Sequence, residues 1–146
     1  MPEPRPLTGG ELNAAVTSAL VGIHTEYHGR GPTSASTFHH GNVLVTLMHG
    51  VLTNAEKSLA KTDRAPVVKN IRQLLHQTLE ADSRAAVERL TGRNVVAFIS
   101  GNNLDPDIAT DLFILDPPFT NNPGQLPWRS AQSPRWLARS HSDAHT

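Results

Sequence analysis

Gly29-Arg30-Gly31-Pro32 is the stretch of this chain whose residue types best suit a binding site. Two glycines let a backbone approach a ligand closely, and an arginine can clamp a carboxylate, bicarbonate or phosphate through paired N–H donors. The competing reading is architectural: Gly29 ends a helix, Gly31 turns the chain, and Arg30 pairs with an acidic neighbour. Arg93 follows Gly92 as Arg30 follows Gly29, which makes it the second candidate anion contact. Leu104-Asp105-Pro106-Asp107 adds two carboxylates that can bind a cation or exchange protons. The same four residues also make an ordinary turn, with Asp105 capping locally and Pro106 fixing φ. The candidate ligand-binding set is therefore Gly29, Arg30, Gly31, Arg93, Asp105 and Asp107.

Other chemistries find less support. There are eight histidines. His24 and His28 stand at i and i+4 and can share a helix face. Glu26 lies between them, whereas a zinc-protease helix needs glutamate directly after its first histidine. His39 and His40 point to opposite sides of a strand. No third ligand is positioned by sequence, so no metal and no cofactor are assigned. A Gly-x-Ser-x-Gly elbow and a Gly-Lys-Ser/Thr loop are both absent from the sequence, and no catalytic residue is assigned. Cysteine is absent too, which removes thiolate and disulfide chemistry. Lys+Arg and Asp+Glu both number 13. That balance argues against nucleic acid as a partner and against a polybasic membrane patch. Trp128 and Trp136, with Arg129, Arg135 and Arg139, make a small aromatic-basic cluster, but no amphipathic period supports insertion into a bilayer.

These residues need elements to hold them. Thr8-Gly-Gly-Glu11 fits a capping box ahead of a helix whose stripe is Leu12, Val16, Ala19, Leu20, Ile23 and Tyr27. Gly29 ends that helix, and Pro32 stops it from resuming. Thr33 to His39 and Asn42 to His49 read as strands joined by a hairpin at His40-Gly41. The second strand is apolar on both faces and so belongs at the centre of a sheet. Thr53-Asn-Ala-Glu56 is another capping box and opens a short helix to about Lys61. Asp63 can cap a long third helix, Ala65 to Thr91, with Pro66 in its first turn. Its predicted apolar stripe is Val67, Val68, Ile71, Leu74, Leu75, Leu79, Ala86, Val87 and Leu90, with a bend expected near Ala81 to Arg84. Asn94 to Ser100 and Ala109 to Asp116 complete the strands, with Gly101-Asn-Asn read as loop.

The pattern helix, Gly-Arg, hairpin thus occurs twice. Two α-β-β units predict an α/β (α+β) two-layer sandwich: a four-stranded antiparallel sheet with helices packed on one face. The domain is expected over 9–116, between a flexible start at 1–8 and a disordered Pro/Ser/Arg-rich tail at 117–146. The start lacks the apolar run of a signal peptide. Leu12 to Ile23, the most apolar early stretch, falls well short of the ~20 residues of a membrane span. A soluble, cytoplasmic protein is expected.

Three stretches resemble the MpsC family: His24-Thr-Glu-Tyr-His-Gly-Arg-Gly-Pro32, Glu88-Arg-Leu-Thr-Gly-Arg-Asn-Val-Val-Ala-Phe98, and Leu104-Asp-Pro-Asp-Ile108 running into Phe113. The resemblance covers about Gly10 to Asp116. His28 departs from it, standing where the family pattern has an aromatic residue. The family name refers to a sodium-translocating, membrane-potential-generating system. The resemblance therefore implies association with such a system, as a transport-system subunit peripheral to the membrane, and implies no known activity. The function expected is that of an accessory or regulatory interaction protein, acting as a homodimer because both strand faces are apolar. The alternative is a small-anion binding protein or enzyme, for bicarbonate, phosphate or a nucleotide, built on the Gly-Arg-Gly-Pro loop.

Overall fold

Glycine ends both long helices as read. Gly29 and Gly92 adopt the left-handed conformation, φ 80° and 67°, and return their N–H groups to Thr25 O and Glu88 O. They bound α1 (Gly9–His28) and α3 (Ala65–Thr91). The computed structural model describes residues 7–119. The readings made for 1–6 and for 120–146, including the tail and its tryptophan-arginine cluster, lie outside the described residues.

Between and after these helices come β1 (Ser34–His40), β2 (Val43–His49), the short α2 (Asn54–Ala60), β3 (Asn94–Asn103) and β4 (Ile108–Asp116). The strands form one antiparallel sheet in the order β1-β2-β4-β3. Each α-β-β unit contributes a hairpin, and the inner strands β2 and β4 join the two. This is the α+β sandwich the pattern predicts. Three local expectations differ. Gly101-Asn102-Asn103 continues β3 instead of leaving it, held by pairing with Ile108 to Thr110. Thr8 makes no side-chain cap bond, and Arg64, not Asp63, stands at the N-cap of α3. Thr53 and Glu56 do form the reciprocal box.

Strand alternation sends Leu44, Met48, Ala109, Phe113 and Leu115 towards the helices, where they are buried. Two apolar clusters result. One joins Leu12, Val16 and Leu20 of α1 to Leu44, Val87, Phe113 and Leu115; the other gathers Met48, Val51, Leu52, Val68 and Ala109. Among the described residues, no helix packs on the opposite face. There Phe38, Val45, Leu112 and Ile99 are successive cross-strand partners in one row, and Phe38 and Ile99 are 55% and 61% exposed.

The phase of α3 differs from the predicted stripe. Val67, Ile71 and Leu74 are exposed, while the buried row runs Val68, Arg72, His76, Leu79, Ser83, Ala86 and Val87. The helix is rotated towards its polar residues because Arg72 and His76 find buried partners, which offsets the apolar area left in water.

Candidate functional site

The candidate residues Gly29, Arg30, Gly31, Asp105 and Asp107 gather at one end of the sheet, around the segment Gly50-Val51-Leu52 that leaves β2. Val51 and Leu52 are buried, so their peptide groups need internal partners. The Asp107 carboxylate accepts from Val51 N at 3.2 Å and Leu52 N at 3.0 Å, and Asp107 O accepts from Gly50 N at 3.0 Å. Arg30 donates to Leu52 O at 3.0 Å and Gly50 O at 3.4 Å. Arg72 Nη2 donates to Val51 O at 2.8 Å. Every polar group of the three peptides is thereby satisfied. Gly31 lies tight against α1: a Cβ there would meet Thr25 Oγ1 at 2.9 Å. Asp105 is exposed and shares with Asp107, Lys57 and Lys61 a cleft of about 280 Å³. Arg93 is brought to the other end of the sheet. It donates to Pro117 O, Pro118 O and Thr91 O and stacks over Phe119 with 4.4 Å to the ring centroid.

A second constellation fills the space between the two apolar clusters. Leu12, Val16, Leu20 and His24 form the buried i, i+4 row of α1, and its last member is polar. On α3, Arg72 and His76 follow Val68 at the same spacing. On β4, Asp111 lies on the helix-facing side between Ala109 and Phe113. These four side chains are 0–4% exposed.

Their contacts are specific. His24 Nε2 lies 2.9 Å from Asp111 Oδ2. His76 Nε2 lies 2.6 Å from Asn102 Oδ1, which makes it the donor, so a neutral His76 keeps its lone pair on Nδ1. That Nδ1 stands 3.8 Å from Asp111 Oδ1, too far for a hydrogen bond. Arg72 binds Glu56 through Nε at 2.7 Å and through Nη2, and its Nη1 reaches His28 Nδ1 at 3.1 Å. The His24 ring meets those of His28 and His76 edge-on, with centroids 5.2 and 5.8 Å away. Among the described residues, His24 Nδ1, His28 Nε2, His76 Nδ1, Asn102 Nδ2 and Asp111 Oδ1 are buried with no hydrogen-bond partner.

Electrostatics keep the outer imidazoles neutral. Burial, then the Arg72 charge, pushes His28 down to about 4. Burial also lowers His76, against the raising influence of Asn102 and Asp111. Burial alone would raise Glu56, but the hydrogen bonds from Arg72 and Thr53 and the guanidinium charge together hold it below its ordinary value. Neutral imidazoles facing a buried carboxylate can hold a cation or exchange a proton.

Reading the sequence located His24 and His28 on one helix but missed Arg72, His76 and Asp111. One signal was present: Asp111 interrupts the apolar alternation of Ala109, Phe113 and Leu115, on the side that a two-layer fold must bury.

The family model described as Na+-translocating membrane potential-generating system (MpsC) matches residues 8–117. No curated protein and no solved structure matches the chain.

Proposed function

The chain belongs to the MpsC family, and from that premise we propose that it is an accessory or regulatory partner of a sodium-translocating, membrane-potential-generating system. In this reading it acts from the cytoplasm, at the membrane periphery, as a homodimer. Among the described residues no helix is long and apolar enough to cross a membrane. The family description supplies the system. The observation that carries the contact role is the sheet face that no described element covers.

That face is apolar where a two-layer domain would otherwise be wetted. The row Phe38, Val45, Leu112, Ile99 adjoins a second row of His40, Val43, Ile114 and Ala97, apolar but for the exposed His40 at its edge. Neither row contains Asp, Glu, Lys or Arg. A contiguous apolar surface of this kind marks an interaction site. With no acidic side chain, lysine or arginine in these two rows, it can pack against a copy of itself, as the isologous interface of a two-fold dimer requires.

Sedimentation analysis of the purified chain is expected to give a dimer that Ile99→Lys and Phe38→Glu convert to monomer. A monodisperse wild-type monomer would refute the dimer. Pull-down from native membranes is expected to retrieve a subunit of a sodium-transport system. Retrieval of no membrane component would refute the accessory role.

A further inference from the structure

We propose that His24, His76 and Asp111 form a binding site for one divalent transition-metal ion of the zinc class. The site lies on the helix side of the sheet, away from the proposed dimer face, so the two proposals succeed or fail separately.

The three residues each offer one ligand atom, and these atoms lie within 4.8 Å of one another. Donor atoms on a shared tetrahedral zinc ion are about 3.3 Å apart, so small side-chain rotations of roughly 1–1.5 Å in total would close the set. The orphaned groups point to a cation. His76 Nδ1 and Asp111 Oδ1 are both lone-pair acceptors, both buried without a hydrogen-bond partner, and they lie 3.8 Å apart. An ion placed there satisfies both at once, and it neutralises a carboxylate that is 0% exposed.

The surroundings resemble the outer shell of a metal site. Asn102 Oδ1 accepts from His76 Nε2, fixing the tautomer that leaves Nδ1 available. His28 is not a ligand. Its Nδ1 accepts from Arg72, so its Nε2 carries the proton. Two imidazole nitrogens and one carboxylate oxygen suit zinc, cobalt or ferrous ions, while sodium prefers an all-oxygen cage. A route in exists, because His76 and Asn102 also line a cleft of about 260 Å³ with Lys69, Gln73, Ser100 and Gly101.

The test is a titration of chelator-treated, full-length protein with Zn²⁺ and Co²⁺, followed by calorimetry and by the visible absorption of Co²⁺. One ion per chain is expected, with no heat from Na⁺. His76→Gln and Asp111→Asn should each weaken binding by more than about 100-fold, and Asn102→Ala by about 10–100-fold. His141→Gln/His145→Gln should bind as wild type does. In wild-type protein, histidine ¹⁵N resonances should report Zn²⁺ on the His24 and His76 rings, a readout that needs no variant to fold. The proposal is overturned if neither ion binds, if binding survives in His76→Gln and Asp111→Asn, if the tail variant loses it, or if the ¹⁵N shifts fall on other histidines. Any of these results would leave His24 and Asp111 as a buried hydrogen-bonded pair only.

Discussion

Arg30 and Arg93 occupy matching posts at opposite ends of the sheet. Each follows the glycine that ends a helix and precedes the outer strand of its unit. Each donates to carbonyls of the segment leaving that unit's inner strand: Gly50 and Leu52 for Arg30, Pro117 and Pro118 for Arg93. Because β1 and β3 run in opposite directions, equivalent arginines arrive at opposite ends. The repeated Gly-Arg is thus a repeated brace in this geometry.

The brace predicts a pattern of couplings. Arg30→Ala should cost about 2 kcal/mol in urea unfolding, and Arg93→Ala, whose bonds are more exposed, about 1. The two losses should add within about 0.5 kcal/mol, since the sites are far apart. Asp107→Ala should cost about 3 kcal/mol, because two buried N–H groups lose a charged acceptor. Combined with Arg30→Ala it should be non-additive, because both side chains hold the same three peptides.

Glu56 predicts a pH dependence. Its carboxyl ionises below the ordinary value of 4.5, so the stability it contributes is present above about that pH and is lost as the pH falls through the folded value. Glu56→Gln leaves the buried Arg72 uncompensated and should cost about 3 kcal/mol near neutrality. The gap between the thermal midpoints of wild type and Glu56→Gln should shrink as the pH is lowered from about 5 towards about 3. A gap that stays constant would contradict the ion pair.

The rotation of α3 predicts a contrast between two leucines five residues apart. Leu79 is 0% exposed and Leu74 is 54% exposed. Leu79→Ala should cost about 2–5 kcal/mol in chemical unfolding, and Leu74→Ala about 0.5 or less. The opposite order would restore the stripe read from sequence.

Two threonines with the same apparent role should also separate. Thr53→Ala removes a formed cap and should cost about 1 kcal/mol, whereas Thr8→Ala removes no cap bond and should be nearly silent in thermal unfolding.

What could be read from the sequence followed from local rules. The helix ends at Gly29 and Gly92, the Thr53 box and the alternation of β2 depend on neighbours in the chain, and they appear as expected. The central place of β2 follows from its two apolar faces, whereas its pairing with β4 is a long-range contact that no local rule specifies. The polar interior was not legible, because a histidine or arginine on a helix carries no mark of what it will face. Val67, Ile71 and Leu74 make as good an apolar stripe as the true one. Only the arrival of Glu56, Asp111 and Asn102 from other elements makes burying Arg72 and His76 favourable. The same holds for Asp107, whose partners Val51 and Leu52 are backbone groups that look alike in any sequence.

The pairing of β2 with β4 carries a consequence for assembly of the chain. Its ladder, from Val43 opposite Ile114 to His49 opposite Ile108, closes only after a long intervening stretch has been placed, which makes folding slow for a domain of this size. Severing the backbone in the exposed turn 61–64 would leave two fragments, each a hairpin with raw hydrogen-bonding groups along its inner edge. Mixed together, the fragments should reconstitute the sheet; kept apart, each would template its own aggregation.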